Sequence, residues 1–393
     1  MSQKHQKHAK LARPDYGEFH RREWAILGTP CGKIQQLSRG VIEKLSGQYQ
    51  LAYVDADHEH GDEKDLDPKS ALTHGATLEY TDKITHHRFE LKKKLDRYQF
   101  RPWFNEQEAV LVNGNHFPAK RQIVVIDPKK EDSLRRKLDR LTDVVAILLT
   151  AEGPTPYPFL EEHLGDISHI PTFELSDVAG IATWIEKELA SQPPVFGLVL
   201  AGGKSQRMGE DKGLINYHGK PQREYVYTLL VQFCEQTYLS CRSNQQDEMP
   251  LGYELLPDSF LELGPFGAIL SAFRQHPEAA WLVVACDLPL IDAEALQELI
   301  GKRGAAHVAT AFHNPETNFP EPLITLWEPK AYPVLLQFLA QGFSCPRKVL
   351  INSDVAVIQP NRPQVLHNVN TPEEKEMVMA ELKSSEGGDV VIF

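Results

Sequence analysis

A chain of 393 residues is long for one domain and points to two or three. With 41% hydrophobic and 24% charged residues it can build sizeable cores, and a net charge of -12 argues against broad nucleic-acid binding. Five scattered cysteines (Cys31, Cys234, Cys241, Cys286 and Cys345), none in a C-x-x-C pair, fit reduced thiols rather than a disulfide framework or a zinc site. No apolar run reaches the roughly 18 residues of a membrane span, and the N-terminus is polar and basic without a signal-peptide core, so a cytoplasmic protein is expected.

Residues 1–22 are rich in Lys, His and Arg and read as a mobile tail. A first α/β domain is expected over 23–190. It opens with Trp24–Leu45, where a short apolar run ends at Gly28, Gly32 and Lys33 follow, and Ile34, Leu37, Val41, Ile42 and Leu45 recur at helical spacing. G-x-x-x-G-K is one residue short of a P-loop, and Ile34 stands where a hydroxyl would hold Mg²⁺, so a catalytic NTPase loop is not expected. A strand at Leu51–Asp55 leads to Asp57, His58, Glu59 and His60, read as a solvated acidic loop. A strand at Ala109–Val112 then runs into Asn113, Gly114, Asn115 and His116. Beyond it a strand is expected at Ile123–Ile126, a charged helix over Glu131–Leu141, a strand at Val144–Leu149 and a helix near Val178–Leu189, an alternation that implies a parallel sheet flanked by helices. Ser191, Gln192, Pro193 and Pro194 form a linker, 191–194.

The second domain, expected over 195–383 with a tail at 384–393, begins with the most informative stretch of the chain. Leu198, Val199, Leu200 and Ala201 end at Gly202 and Gly203, and a basic segment with Lys204, Arg207 and Lys212 follows. A buried strand opening into such a loop suits a di- or triphosphate. Glycine lets the backbone approach and turns several N–H groups toward one anion, and Arg207 and Lys212 can neutralise charge on a departing pyrophosphate. A brief strand is expected at Gly213–His218, a helix over Tyr225–Cys234 and a strand at Tyr238–Cys241 ending at Arg242. In Trp281–Leu290 apolar residues deliver Asp287 to the carboxyl end of a strand, where ligands bind in open α/β sheets and a carboxylate can hold Mg²⁺. Both domains therefore read as doubly wound, mostly parallel α/β sheets.

The pattern L-A-G-G-x-S-x-R-M-G-x-D-K resembles the signature loop of the molybdenum cofactor guanylyltransferases, and the similarity covers about 195 to 382. It implies a Rossmann-like nucleotidyltransferase fold and transfer of GMP from GTP to molybdopterin, with Mg²⁺ on Asp287. It implies nucleotide contacts at Leu200, Ala201, Gly202, Gly203, Lys212, Arg242, Asp258 and Asp287, Asp258 preceding a G-P-F-x-A segment like the family's G-P-L-x-G. Arg242 is a departure from the Asn of many members, with Asn244 an alternative. The segment Asn318–Trp327, including Pro322, resembles the part that presents the second substrate, and N-V-N-T-P-E at Asn368–Glu373 resembles the family's close, with Asn370 completing the metal and phosphate shell and serving the second substrate. Transient contact with cofactor-insertion machinery or apo-molybdoenzymes is a further implication.

The first half resembles, over about 24 to 170, the P-loop protein that accompanies these enzymes, with Ile34 and Asn113 as departures that imply a degenerate relative which binds or scaffolds. Two other readings stand beside guanylyl transfer. One is CMP transfer to molybdopterin or another phosphate acceptor; the other is a non-catalytic carrier of the cofactor.

Overall fold

The computed structural model describes residues 11–57, 67–201, 211–242, 245, 246, 249 and 251–386. The chain forms two compact units that meet between Ser191 and Gln192, the first beginning at Tyr16.

In the first unit the elements run β1 (Glu23–Leu27), α1 (Cys31–Leu45), β2 (Leu51–Val54), β3 (Leu78–Asp82), β4 (His87–Leu91), α2 (Arg97–Phe104), β5 (Ala109–Asn113), β6 (Arg121–Ile126), α3 (Glu131–Arg135), β7 (Val144–Leu149), α4 (Pro158–Leu164), β8 (Thr172–Glu174) and α5 (Val178–Ala190). The six-stranded sheet has the order β2-β5-β1-β6-β7-β8, and every pair in it is parallel. Trp24 and Ile26 of β1 face α1 and α5, whereas Leu27 packs with α3 and α4, so helices cover both faces.

Two expectations are corrected in this unit. The tail read over 1–22 is packed from Tyr16 onward, because the buried Glu23 carboxylate accepts the backbone N–H groups of Glu18, Phe19, His20 and Lys120 at 2.7–2.9 Å and Phe19 stacks on Phe100 at 4.9 Å. The long helix at Glu131–Leu141 is instead a five-residue helix followed by a separate 3-10 turn at Leu138–Arg140. The antiparallel pair β3·β4 carries no turn signal, having no glycine between its strands; Ile84 takes φ 68° there, a conformation that usually falls to Gly or Asn.

The second unit comprises β9 (Val195–Leu200), α6 (Gln222–Leu230), β10 (Gln236–Cys241), β11 (Leu255–Pro257), α7 (Pro265–Gln275), β12 (Ala280–Ala285), α8 (Ala293–Gly301), β13 (Ala309–Asn314), β14 (Phe319–Trp327), α9 (Ala331–Ala340), α10 (Pro346–Ile351), β15 (Val355–Ile358) and α11 (Pro372–Glu386). Its sheet has the order β11-β10-β9-β12-β14-β13-β15, antiparallel only where β14 meets β12 and β13. Helix α11 runs to Glu386, past the boundary read at 383. Where a strand was expected after Lys212 there is a 3-10 turn, Lys212–Leu214, because Asp211 caps it by accepting from Gly213 N at 2.9 Å.

Chain direction sets the position of the site. From β9 the chain moves outward through β10 and β11, then returns to place β12 on the other side of β9, so the sheet's order switches between β9 and β12. In open α/β sheets ligands bind in the crevice outside the carboxyl ends of the strands at such a switch point. The strand β12 is buried throughout; Trp281 and Val283 point into one core layer, Leu282 and Val284 into the other. Helix α7 lies so close to the preceding loop that a Cβ on Gly267 would stand 2.3 Å from the Phe260 carbonyl oxygen. Gly267→Ala should therefore cost about 1–3 kcal/mol by overpacking, measured as a lowered melting temperature of the full chain; an unchanged value would show that the loop yields.

Candidate functional site

At the crevice, Lys212 links three distant segments. Its Nζ donates to Asn370 Oδ1 at 2.7 Å and to Asp287 Oδ2 at 3.4 Å. The Asp287 backbone is itself tied to the last of these segments, since its carbonyl accepts from Val369 N at 2.9 Å. Asn370 owes its place to the start of α11, where a reciprocal cap forms: the Glu374 carboxylate accepts from Asn370 N and Thr371 N, and Thr371 Oγ1 accepts from Glu374 N. The end of β12 is thus not a helix cap; that role falls to Asp292, which accepts from Ala295 N at 3.0 Å at the start of α8.

The Asp287 side chain is only 17% exposed. Burial pushes its carboxyl up from the usual value, and Lys212 offsets only part of this. Its Oδ1 is buried with no hydrogen-bond partner among the described residues. Carried past its last pair, Val284 with Ile324, the β12·β14 register brings Asp287 level with Glu321. Glu321 is fully buried, accepts from Asn314 Nδ2 at 2.9 Å and lies 3.8 Å from an Arg347 nitrogen. Its carboxyl is pushed up by burial, and the Asp287 charge adds to that.

The other residues singled out from the sequence fall as follows. Leu200 ends β9 and Ala201 is buried after it. Arg242 and Asp258 follow β10 and β11 on the same carboxyl edge; Asp258 N donates to Cys241 O at 2.8 Å, and Asp258 Oδ1 accepts from Ser240 Oγ at 3.2 Å. Burial raises the Asp258 carboxyl, partly countered by Ser240. Gly202, Gly203 and Arg207 lie outside the described residues, as do Asn244, His58, Glu59 and His60. Pro322, expected at the second substrate, is buried in β14, and the exposed residue of that strand is Phe319. Glu321, not singled out from sequence, is the buried acid that adjoins Asp287; an acid flanked by two prolines inside an apolar strand was the available signal.

In the first unit the loop after β1 is engaged by acids. The Asp127 carboxylate accepts from Thr29 Oγ1 at 2.7 Å and from Lys33 Nζ at 3.0 Å, and Lys33 also lies 3.8 Å from Glu152. Burial alone would raise the Asp127 carboxyl, but the hydrogen bonds from Thr29, Lys33 and Lys129 N outweigh it and hold it below the ordinary value. Ile34 is fully buried, and Asn113 uses its amide to donate to Asp55 at 2.8 Å.

Comparison with known proteins matches the description "MobA-like NTP transferase domain" to residues 197–356. The chain is 40% identical over 185 residues to the molybdenum cofactor biosynthesis bifunctional protein of Synechocystis sp., an alignment that covers 47% of this chain and about half, 53%, of that relative. It is 36% identical over 137 residues to the probable molybdenum cofactor guanylyltransferase of Flavobacterium johnsoniae, covering 35% of this chain and 70% of that protein. Among solved structures, molybdopterin-guanine dinucleotide biosynthesis protein A of Archaeoglobus fulgidus aligns with a TM-score of 0.42 and 22% identity, over 48% of this chain and 99% of that one. At 36% identity over 70% of the Flavobacterium johnsoniae protein, the chain belongs to the molybdenum cofactor guanylyltransferase family of nucleotidyltransferases.

Proposed function

We propose that the second unit transfers GMP from GTP to molybdopterin, releasing pyrophosphate and leaving the guanine dinucleotide form of the cofactor. The observation that carries this reading is the Lys212 ammonium shared by Asp287 and Asn370 at the switch point of the sheet. A terminal phosphate of the acceptor attacks the α-phosphorus in line, forming one P–O bond as the bond to the β-phosphate oxygen breaks. Catalysis of this kind is mainly positioning and electrostatics. Lys212 and Arg207 balance charge on the leaving pyrophosphate, and the backbone of Gly202 and Gly203 cradles the phosphates.

The buried Asp287 Oδ1, without a partner among the described residues, is a hard oxygen donor and suits Mg²⁺, for which one or two protein carboxylates suffice. Asp287 is the residue that would hold that ion, which when bound neutralises non-bridging phosphate oxygens. Arg242 and Asp258, on the same sheet edge, serve the nucleoside end. Asn370 serves the second substrate. The five cysteines are free thiols, which supports placement in the cytoplasm. In the first unit a phosphate at the loop must displace two carboxylates from Lys33, and Ile34 offers no cation ligand. That unit therefore scaffolds or binds and does not hydrolyse nucleotide.

Pyrophosphate release from GTP with molybdopterin and Mg²⁺ is the direct test, and none from GTP in the presence of acceptor would overturn the reading. Asp287→Asn should lower kcat by about 10²-fold or more while leaving the melting temperature nearly unchanged; an unaffected rate removes Asp287 from the reaction.

In the first unit, Asp127→Ala leaves Thr29 and Lys33 without their acceptor and should cost about 1–3 kcal/mol at neutral pH, read as hydrogen-exchange protection of β1 and β6. Because the folded Asp127 carboxyl lies below its ordinary value, its contribution is complete above about pH 4 and is lost as pH falls through the lower folded value. The gap between wild type and variant should narrow in that acid range.

A further inference from the structure

The turn that follows Asp287 is held from outside by three side chains of one short segment. Leu288 O accepts from Gln222 Nε2 at 3.2 Å, Pro289 O from His218 Nε2 at 2.8 Å, and Ile291 O from Tyr225 OH at 3.1 Å. Leu288 O also accepts from Ile291 N within the turn at 3.3 Å, and the side-chain donors of the short segment add to that single backbone bond. The His218 and Tyr225 rings stack with centroids 3.7 Å apart and planes 14° apart, which makes two of the donors one unit. The His218 contact requires the ring proton on Nε2.

Tyr225 also packs against the core beneath it, but packing does not account for Gln222. Helix α6 is already docked by Val226, Leu229 and Leu230 against the core that contains Val199, Leu282 and Val284. Gln222 is fully buried, and its Oε1 has no partner among the described residues, a cost that a leucine of similar size would not carry. What the amide supplies is the hold on Leu288. The same segment, Asp211 to Tyr225, starts with the 3-10 turn that presents Lys212 and folds back through the hydrogen bond from Gln222 N to Ile215 O at 2.9 Å.

We infer that His218, Gln222 and Tyr225 are positioning residues that clamp the Asp287 turn and so fix the Asp287 carboxylate against Lys212. The inference rests on the transfer reaction proposed above. Loss of a donor loosens the turn without emptying the site, and a displacement of about 1 Å at a reacting centre costs up to about 10²-fold in rate.

The test uses the full chain and three measurements: melting temperature, kcat and KM for GTP, and Mn²⁺ binding in the presence of GTP followed by electron paramagnetic resonance. Gln222→Leu and His218→Phe should keep the melting temperature within a few degrees and the KM for GTP within about twofold, lower kcat about 10- to 100-fold, and weaken Mn²⁺ several-fold. His218→Gln, which restores an amide donor, should recover most of the kcat and Mn²⁺ affinity. Wild-type kcat and Mn²⁺ affinity in Gln222→Leu and His218→Phe would overturn the clamp, as would losses that track a fallen melting temperature. If the wild-type chain releases no pyrophosphate from GTP, the transfer reading fails, and the Mn²⁺ measurement alone then decides the clamp.

Discussion

The second unit's site depends on a buried charge balance. A carboxylate at the end of β12 is removed from water, and among the described residues it is compensated at 3.4 Å by the ammonium of Lys212, which Asn370 also engages at 2.7 Å. A buried carboxylate with one oxygen unpartnered among the described residues is costly as a structural element. The arrangement makes sense as a place that receives further positive charge together with phosphate. Glu321 sharpens this, because a second buried acid level with Asp287 raises the demand for cations at the same point.

The antiparallel strand β14 shapes the space around that charge. It pairs with β12 only from Ile324 onward, so Phe319 to Pro322 run past the last of those pairs, and Phe319 and Pro320 lie opposite Asn314 and His313 of β13. Prolines are tolerated there because one side of the strand has no ladder to complete. A register irregularity between Ala311 and His313 falls in the same region. Together they carry Glu321, and through it Arg347, toward the carboxyl edge where β9 and β12 end.

Legibility in the sequence followed the range of the interactions. The position of Asp287 could be read because an unbroken apolar run fixes where β12 ends, and that of Asn370 because T-P-E-E marks a helix start. The parallel sheets followed from alternating strand and helix periodicity. The Lys212 partnerships were not readable, since they join residues 75 and 158 positions apart. Glu321 was hidden because its burial depends on Asn314 and Arg347, which lie 7 and 26 positions away, whereas Pro322 was tied to the second substrate by resemblance alone. The packing of Tyr16–Arg22 was not legible because it rests on one buried carboxylate, Glu23, and one lone aromatic, Phe19, and not on any apolar period. In the first unit, the near-match to a phosphate loop was plain, whereas the nearer of the two carboxylates that occupy its lysine comes from a residue 94 positions away.

The reciprocal cap at the start of α11 has a bearing on the order of synthesis. Because Val369 and Asn370 follow Lys212 and Asp287 in the chain, a polypeptide emerging from the ribosome has its glycine loop, its lysine and its aspartate well before the piece that joins them. The crevice is finished only when α11 winds, so a prematurely ended polypeptide would hold the parts of the site without their closing contact.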